Sequence, residues 1–213
     1  ARALMLAIEA DATVSHLDVK IQGLNGNDIA AAIAQGLGGN TTLTRFSAWH
    51  CNIGVQGGIA IARSLETNTT LTHLGLVGNA IEDAGAEALG VTLGKENSAL
   101  TGLNLQMCSI GDLGLTAILN GLRTRTNFDG LDMSKNYIGR AGMEALGHAL
   151  ASNWSLKGLT LCGCQVPGVV PAGMTAIANG LKTNTKLTML CLDRVGEIGY
   201  SGALALADAL TSN

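Results

Sequence analysis

Apolar residues recur along this chain on two spacings that take turns. Leu71 to Ile81 reads LTHLGLVGNAI and Leu100 to Ile110 reads LTGLNLQMCSI, so a leucine opens the stretch, another follows three residues on, and a third two residues later. Alternation over so few residues predicts a short strand with one face buried. The residues that open these stretches are Val14, Leu43, Leu71, Leu100, Phe128, Leu156 and Leu187, at separations of 29, 28, 29, 28, 28 and 31. Behind each strand the spacing changes to four: Ile29/Ile33/Leu37, Gly57/Ile61/Leu65, Gly85/Leu89/Leu93, Gly114/Ile118/Leu122, Gly142/Leu146/Leu150, Gly173/Ile177/Leu181 and Gly202/Leu206/Leu210. A stripe at i, i+4 and i+8 with alanines between its members predicts one face of an α-helix.

Each unit is therefore a strand, a turn, a helix and a return, too small to bury its own stripe and obliged to share a core with its neighbours. Strand follows helix follows strand in one direction, which makes a parallel sheet with the helices outside. A helix is about 10 Å across while paired strands lie about 4.8 Å apart, so the stack bends with the sheet on its concave side. The glycine that opens most helices fits close packing of the first turn against the strand. Glu82, Asp83 and Asp112 suit the positive end of a helix.

The pattern LxxLxLxxN/CxI followed by GxxAL resembles leucine-rich repeats, and a period of 28 or 29 is similar to the ribonuclease-inhibitor-like class. That class often alternates Asn and Cys at the ninth position. Here the ninth positions are Gln22, Cys51, Asn79, Cys108, Asn136, Cys164 and Val195. The resemblance covers the whole chain and implies an α/β fold: a right-handed solenoid or horseshoe of about seven repeats, concave parallel sheet inside, helices outside. Connectors such as ETNTTLT (66–72) and KTNTKLT (182–188) look like those of microbial and invertebrate members and of intracellular innate immune receptors of the NLR type. A repeat motif is specific for fold and nearly silent on function.

The repeat is broken in two places. From strand start to helix glycine, units two to five take 14 residues but Leu156 to Gly173 takes 17, which puts three extra residues around Val166, Pro167, Val169, Val170 and Pro171. Both prolines of the chain stiffen this loop and deny it donors; a tolerated insertion and a binding rim both fit. A one-residue excess lies near Val195 to Ile198. Leu4 and Ile8 take the helix positions of a preceding unit, and Asn213 stops before the next strand is due. Residues 1–213 are read as a single leucine-rich-repeat domain whose first repeat is truncated, part of a longer array.

Composition narrows the function classes. Aliphatic residues must build the core, since 47% of the chain is hydrophobic and only 3% aromatic. The formal charge is −3, with 13 basic and 16 acidic residues spread along the chain, so no basic stripe is available to phosphates and no nucleic-acid partner is expected. No apolar run approaches the ~20 residues that span a bilayer, and no membrane partner is expected. Five cysteines, an odd number, point to a reduced, cytoplasmic setting.

Leucines pointing inward leave the third, fifth and seventh positions on the concave surface. The N-terminal units are charged and aromatic there, with His16, Asp18 and Lys20, then Arg45, Ser47 and Trp49, then His73, whereas Gly102, Gly130 and Gly158 leave the later third positions bare. Trp49 is the sharpest residue, because an aliphatic repeat has no packing need for indole on its solvent side and tryptophan is enriched at binding hot spots. The candidate partner-binding residues are Asp18, Lys20, Arg45, Trp49, His50 and His73, joined by Asn104, Gln106 and Asp132. Trp154, in a return, reads as local packing.

Nothing in the pattern asks for catalysis, a cofactor or a metal. Cys164 falls on the row of Cys51 and Cys108, where a small buried thiol is structural, and Cys162 and Cys191 sit at different strand positions without a fourth ligand. His16 and His73 lie two strands, about 10 Å, apart, too far to share an ion held by ~2 Å bonds. Asn40, Asn68 and Asn153 each begin an N-x-[ST] triplet but read as turn residues. The expected activity is a non-enzymatic scaffold that binds another protein on its concave sheet, with a ligand-sensing segment of an immune receptor as the specific form. The alternative is regulation of an enzyme, as in the GTPase-activating or ribonuclease-inhibiting proteins that these repeats also resemble. An end-to-end dimer of the truncated array is a further possibility.

Overall fold

The computed structural model describes residues 2–96, 98–152, 155–164, 170–196 and 198–212. Seven short strands, β1 (His16–Val19), β2 (Arg45–Ala48), β3 (His73–Gly75), β4 (Gly102–Asn104), β5 (Phe128–Asp132), β6 (Leu156–Thr160) and β7 (Met189–Cys191), form one sheet in sequence order with every pair parallel. Among the described residues eight helices alternate with them: α1 (Arg2–Ala10), α2 (Gly26–Gly39), α3 (Val55–Ser64), α4 (Glu82–Leu93), α5 (Asp112–Leu122), α6 (Arg140–Ala151), α7 (Val170–Leu181) and α8 (Gly199–Ser212). Each helix packs on the next. The chain is thus a leucine-rich-repeat solenoid, as its two spacings predict.

One hydrophobic cluster runs from Ile8 to Ala209 between sheet and helices. The strand leucines fill it, with Leu71, Leu74 and Leu76 at most 2% exposed, and the helix stripes meet them. Among the described residues the cluster's aromatic members are Phe46 and Phe128, the largest of its side chains and each 1% exposed. Burying such a ring contributes about 2–3 kcal/mol. Cover thins in the outer coils: Val14 is 37% exposed and Leu210 72%, although both sit on the predicted inward stripes.

Two local expectations are extended. Asp83 and Asp112 lie in the first turns of their own helices, as expected, and also serve the next coil. Asp83 Oδ1 accepts from the backbone N–H of Gly111 (2.7 Å) and Gly114 (3.0 Å), and Asp112 Oδ1 from Gly139 (2.6 Å), so each carboxylate caps the helix of the following coil. The helix-opening glycine faces the preceding coil rather than the strand alone: a Cβ on Gly114 would lie 2.6 Å from Asp83 Oδ1 and 3.0 Å from Ala86 Cβ. Close stacking of helices, with a capping carboxylate between them, is what excludes a side chain there.

Asparagines tie the returns together. Asn40 accepts from Thr42 and Leu43 N–H and donates to Ile8 O; Asn68 accepts from Thr70 and Leu71 and donates to Leu37 O. Their side chains are buried and committed to the backbone, which leaves no room for a glycan. Arg125 stands where Asn68 stands in its own coil, three residues before the strand opens, and reaches the carbonyls of Ser98 and Leu100 instead. Asn153, Trp154 and the 165–169 part of the proline loop lie outside the described residues, as does Glu197.

Candidate functional site

Strand register sets the concave surface row by row. His16, Arg45, His73, Gly102, Gly130, Gly158 and Met189 pair in succession across the sheet, and so do Asp18, Ser47, Gly75, Asn104, Asp132, Thr160 and Cys191. These are the third and fifth positions of the repeat. The side chains above them enclose a groove of about 550 Å³.

Six of the nine sequence-predicted residues line this groove: Asp18, Arg45, Trp49, His73, Asn104 and Asp132. Trp49 is 39% exposed, with its backbone held by a 2.8 Å bond to Val19 O, so the indole stands on the solvent side of a fixed strand end. The Arg45 guanidinium has no hydrogen bond or ion pair among the described residues. Lys20 and Gln106 sit at the seventh positions, beyond the groove lining. His50 is placed differently. Its φ of 48° begins a left-handed turn that recurs at the eighth position of later coils, at Gly78, Met107, Lys135, Gly163 and Arg194, and its ring lies on Gly78, where a Cβ would strike it. The eighth position is the exit from the strand, which a pattern of inward leucines does not reveal.

The geometry of His73 is specific. Thr44, Thr72, Thr101 and Thr188, all at the second position, each send a hydroxyl to a second-position carbonyl of the preceding coil. Thr72 does so at 2.8 Å and therefore presents a lone pair to His73 Nδ1 at 2.9 Å. The ring carries its proton on Nδ1 and turns Nε2, an acceptor, over Gly102, where a Cβ would lie 2.5 Å from Cδ2. Partial burial first, then the positive charge of Arg45, holds the His73 pKa below the ordinary imidazole value. Both causes favour the neutral form of His73.

The model of the Leucine Rich repeat family matches residues 67–90 and 96–119, the third and fourth coils. These coils carry leucine-rich repeats. Over 204 residues the repeat protein is 28% identical to the ribonuclease inhibitor of Sus scrofa, a match covering 95% of this chain and 44% of that one. Over 168 residues it is 28% identical to human NACHT, LRR and PYD domains-containing protein 13, covering 79% of this chain and 16% of the relative. It spans less than half the length of either. A solved structure described as Leiomodin-1 Actin-Binding Site 2 aligns with a TM-score of 0.45 at 17% identity, over 99% of this chain and 87% of that one.

The cysteines divide into two kinds. Cys51, Cys108 and Cys164 are buried free thiols on the ninth-position row, and burial pushes the Cys108 thiol up to about 12. Cys162 and Cys191, expected as separate thiols, are joined as a disulfide between adjacent coils, with Cα atoms 6.1 Å apart. They occupy the seventh position of one coil and the fifth of the next, and the chain turns just beyond Cys162 at Gly163, whose φ is 67°. No helix among the described residues is long and apolar enough to cross a membrane.

Proposed function

We propose that the repeat protein is a non-enzymatic scaffold that binds another protein in the concave groove. The observation that carries this is the groove itself: an exposed indole, an unpaired guanidinium and an imidazole of fixed tautomer, held on strands whose leucines are locked in the core. Side chains pre-organised in this way lose little freedom on binding, so more of the contact energy survives as affinity. Trp49 and Arg45, both of residue types enriched among hot spots, are the proposed anchors. Asp18 and His73 flank them, Asn104 and Asp132 extend the surface, and Lys20, His50 and Gln106 form its rim. Similarity to the NACHT, LRR and PYD domains-containing proteins supports a ligand-sensing segment of a cytoplasmic innate immune protein as the specific form.

The test compares proteins retained by the immobilised wild-type chain with those retained by the double variant R45A/W49A and by an outer-helix control, E144A. Loss with the double variant and retention by the control is the expected result. Equal retention by all three removes the concave face from the reading. A second reading, inhibition of a ribonuclease, is favoured by the match to ribonuclease inhibitor along 95% of this chain. Hydrolysis of RNA by a pancreatic-type ribonuclease, unchanged in the presence of excess repeat protein, would exclude it.

A further inference from the structure

The third-position row holds three glycines in succession, yet only one of them leaves open space. His73 leans across β4 and fills the place of a side chain on Gly102, while the Met189 methyl stands 3.0 Å from where a Cβ of Gly158 would be. A Cβ on Gly130 would meet nothing within 4 Å except Gly158 O at 3.9 Å. The result is a slot floored by Gly130, walled by an imidazole on one side and a thioether on the other. Gly102 and Gly158 are two strand spacings, about 10 Å, apart. Subtracting contact radii leaves about 6 Å, enough for one side-chain stem.

The slot is rich in acceptors. Asp132, two residues along β5, uses one carboxylate oxygen to accept the Ser134 N–H at 2.9 Å and has no ion pair among the described residues. Asn104 and Thr160 flank it on the neighbouring strands. At the other end stands Asp129, joined to Lys157 at 2.7 Å. Burial disfavours a charge on His73, and Arg45 is three strands, about 14 Å, away, beyond the screening length of about 8 Å at physiological salt. The local balance is negative over an uncharged floor.

We infer that the slot over Gly130 receives an arginine side chain of the partner protein, its stem on the glycine floor between His73 and Met189 and its guanidinium on Asp132. Arginine fits better than lysine, because a planar fork meets a carboxylate through two bonds. This rests on the concave-face reading and adds the chemistry of one contact to it: Arg45 and Trp49 anchor one end of the partner and Asp132 takes a cation at the other.

The probe is N-acetyl-arginine methylamide, titrated into the full chain and followed by the amide resonances of Gly102, Gly130 and Gly158. Saturable shifts at Gly130 and Gly158 are expected, with N-acetyl-citrulline methylamide, its neutral isostere, about tenfold weaker. Asp132→Asn should weaken the arginine probe to the same extent. Gly130→Leu, which the open space accommodates, should abolish the shifts while leaving the remaining spectrum in place. Equal binding of the citrulline probe, equal binding to Asp132→Asn, or preference for N-acetyl-phenylalanine methylamide would overturn the inference. If the probe leaves the slot unshifted but R45A/W49A still loses retained proteins, only the slot fails. If the double variant retains them as well, the concave reading fails with it.

Discussion

The ninth and third positions of the coils recur with the same period and were shaped by opposite demands. At the ninth position each coil answers the same backbone problem. Asn79 accepts from the N–H groups of Cys51 and Ile53, both at 3.0 Å, and donates to Ala48 O and Leu76 O; Asn136 repeats this with Cys108, Ile110, Leu105 and Met133. The intervening cysteines are smaller, and Cys108 Sγ donates to Leu76 O at 3.1 Å. Large amide and small thiol alternate because each asparagine also satisfies the coil before it. The third position faces solvent, is bound by no such demand, and holds histidine, arginine, glycine and methionine. Regularity marks what holds the coils together, and irregularity marks where a partner can be recognised.

This contrast can be broken in several ways, beginning with the interior. Phe128→Ala empties a fully buried site at the opening of β5 and should cost about 3–5 kcal/mol, read from the urea midpoint; a loss below about 1 kcal/mol would mean the coils do not share one core. Thiol chemistry comes next. With its pKa near 12 rather than 9.0, folded Cys108 holds about a thousandfold less thiolate than an ordinary cysteine. Iodoacetamide should therefore leave Cys108 unlabelled in the native chain. Unfolding without reductant should expose the three free thiols, and five only after reduction. Five without reductant would dissolve the Cys162–Cys191 link.

Asn136→Ala strands two buried N–H groups and should destabilise by about 2–3 kcal/mol in the same urea titration. His73 gives a smaller effect with a definite sign. Its folded pKa is depressed, so the unfolded chain takes up the proton first as pH falls. The stabilisation is present above the unfolded value of about 6.5 and is lost as pH drops through the lower folded value. The urea midpoint should fall between pH 7 and pH 5, and His73→Gln should flatten that fall. Smallest of all, R45A and W49A should each leave stability within about 0.5 kcal/mol of wild type, although together they are expected to abolish partner retention. A large loss of stability from either would place it among the residues that hold the coils together.

Much of this was legible in the sequence. Leucines at the first, fourth and sixth positions identified the buried strand face, and counting from them placed Arg45, His73 and Asp132 on the concave surface in the rows that the register bears out. The helix triplets were legible because four residues make little more than one turn of about 3.6. Less was legible where the deciding neighbour came from another coil. Asp83 sits in the first turn of its own helix as its position predicts, but its capping of the next helix was not legible, since chain position says nothing of which second N-terminus lies within reach. His50 looked like a flank of Trp49 but begins a left-handed turn, and non-glycine residues at most such turns hide the signal that glycine would have given.

The chain's own order of residues determined the period, the two faces of each strand and helix, and the absence of side chains at three successive third positions. Only the tertiary structure decided that His73 and Met189 fold over two of those glycines and leave the third open, and that Cys162 meets Cys191. A repeat is a local property, fixed by spacing along one chain. A slot or a disulfide depends on how far side chains lean between coils, a matter of distances across the sheet that no single unit contains.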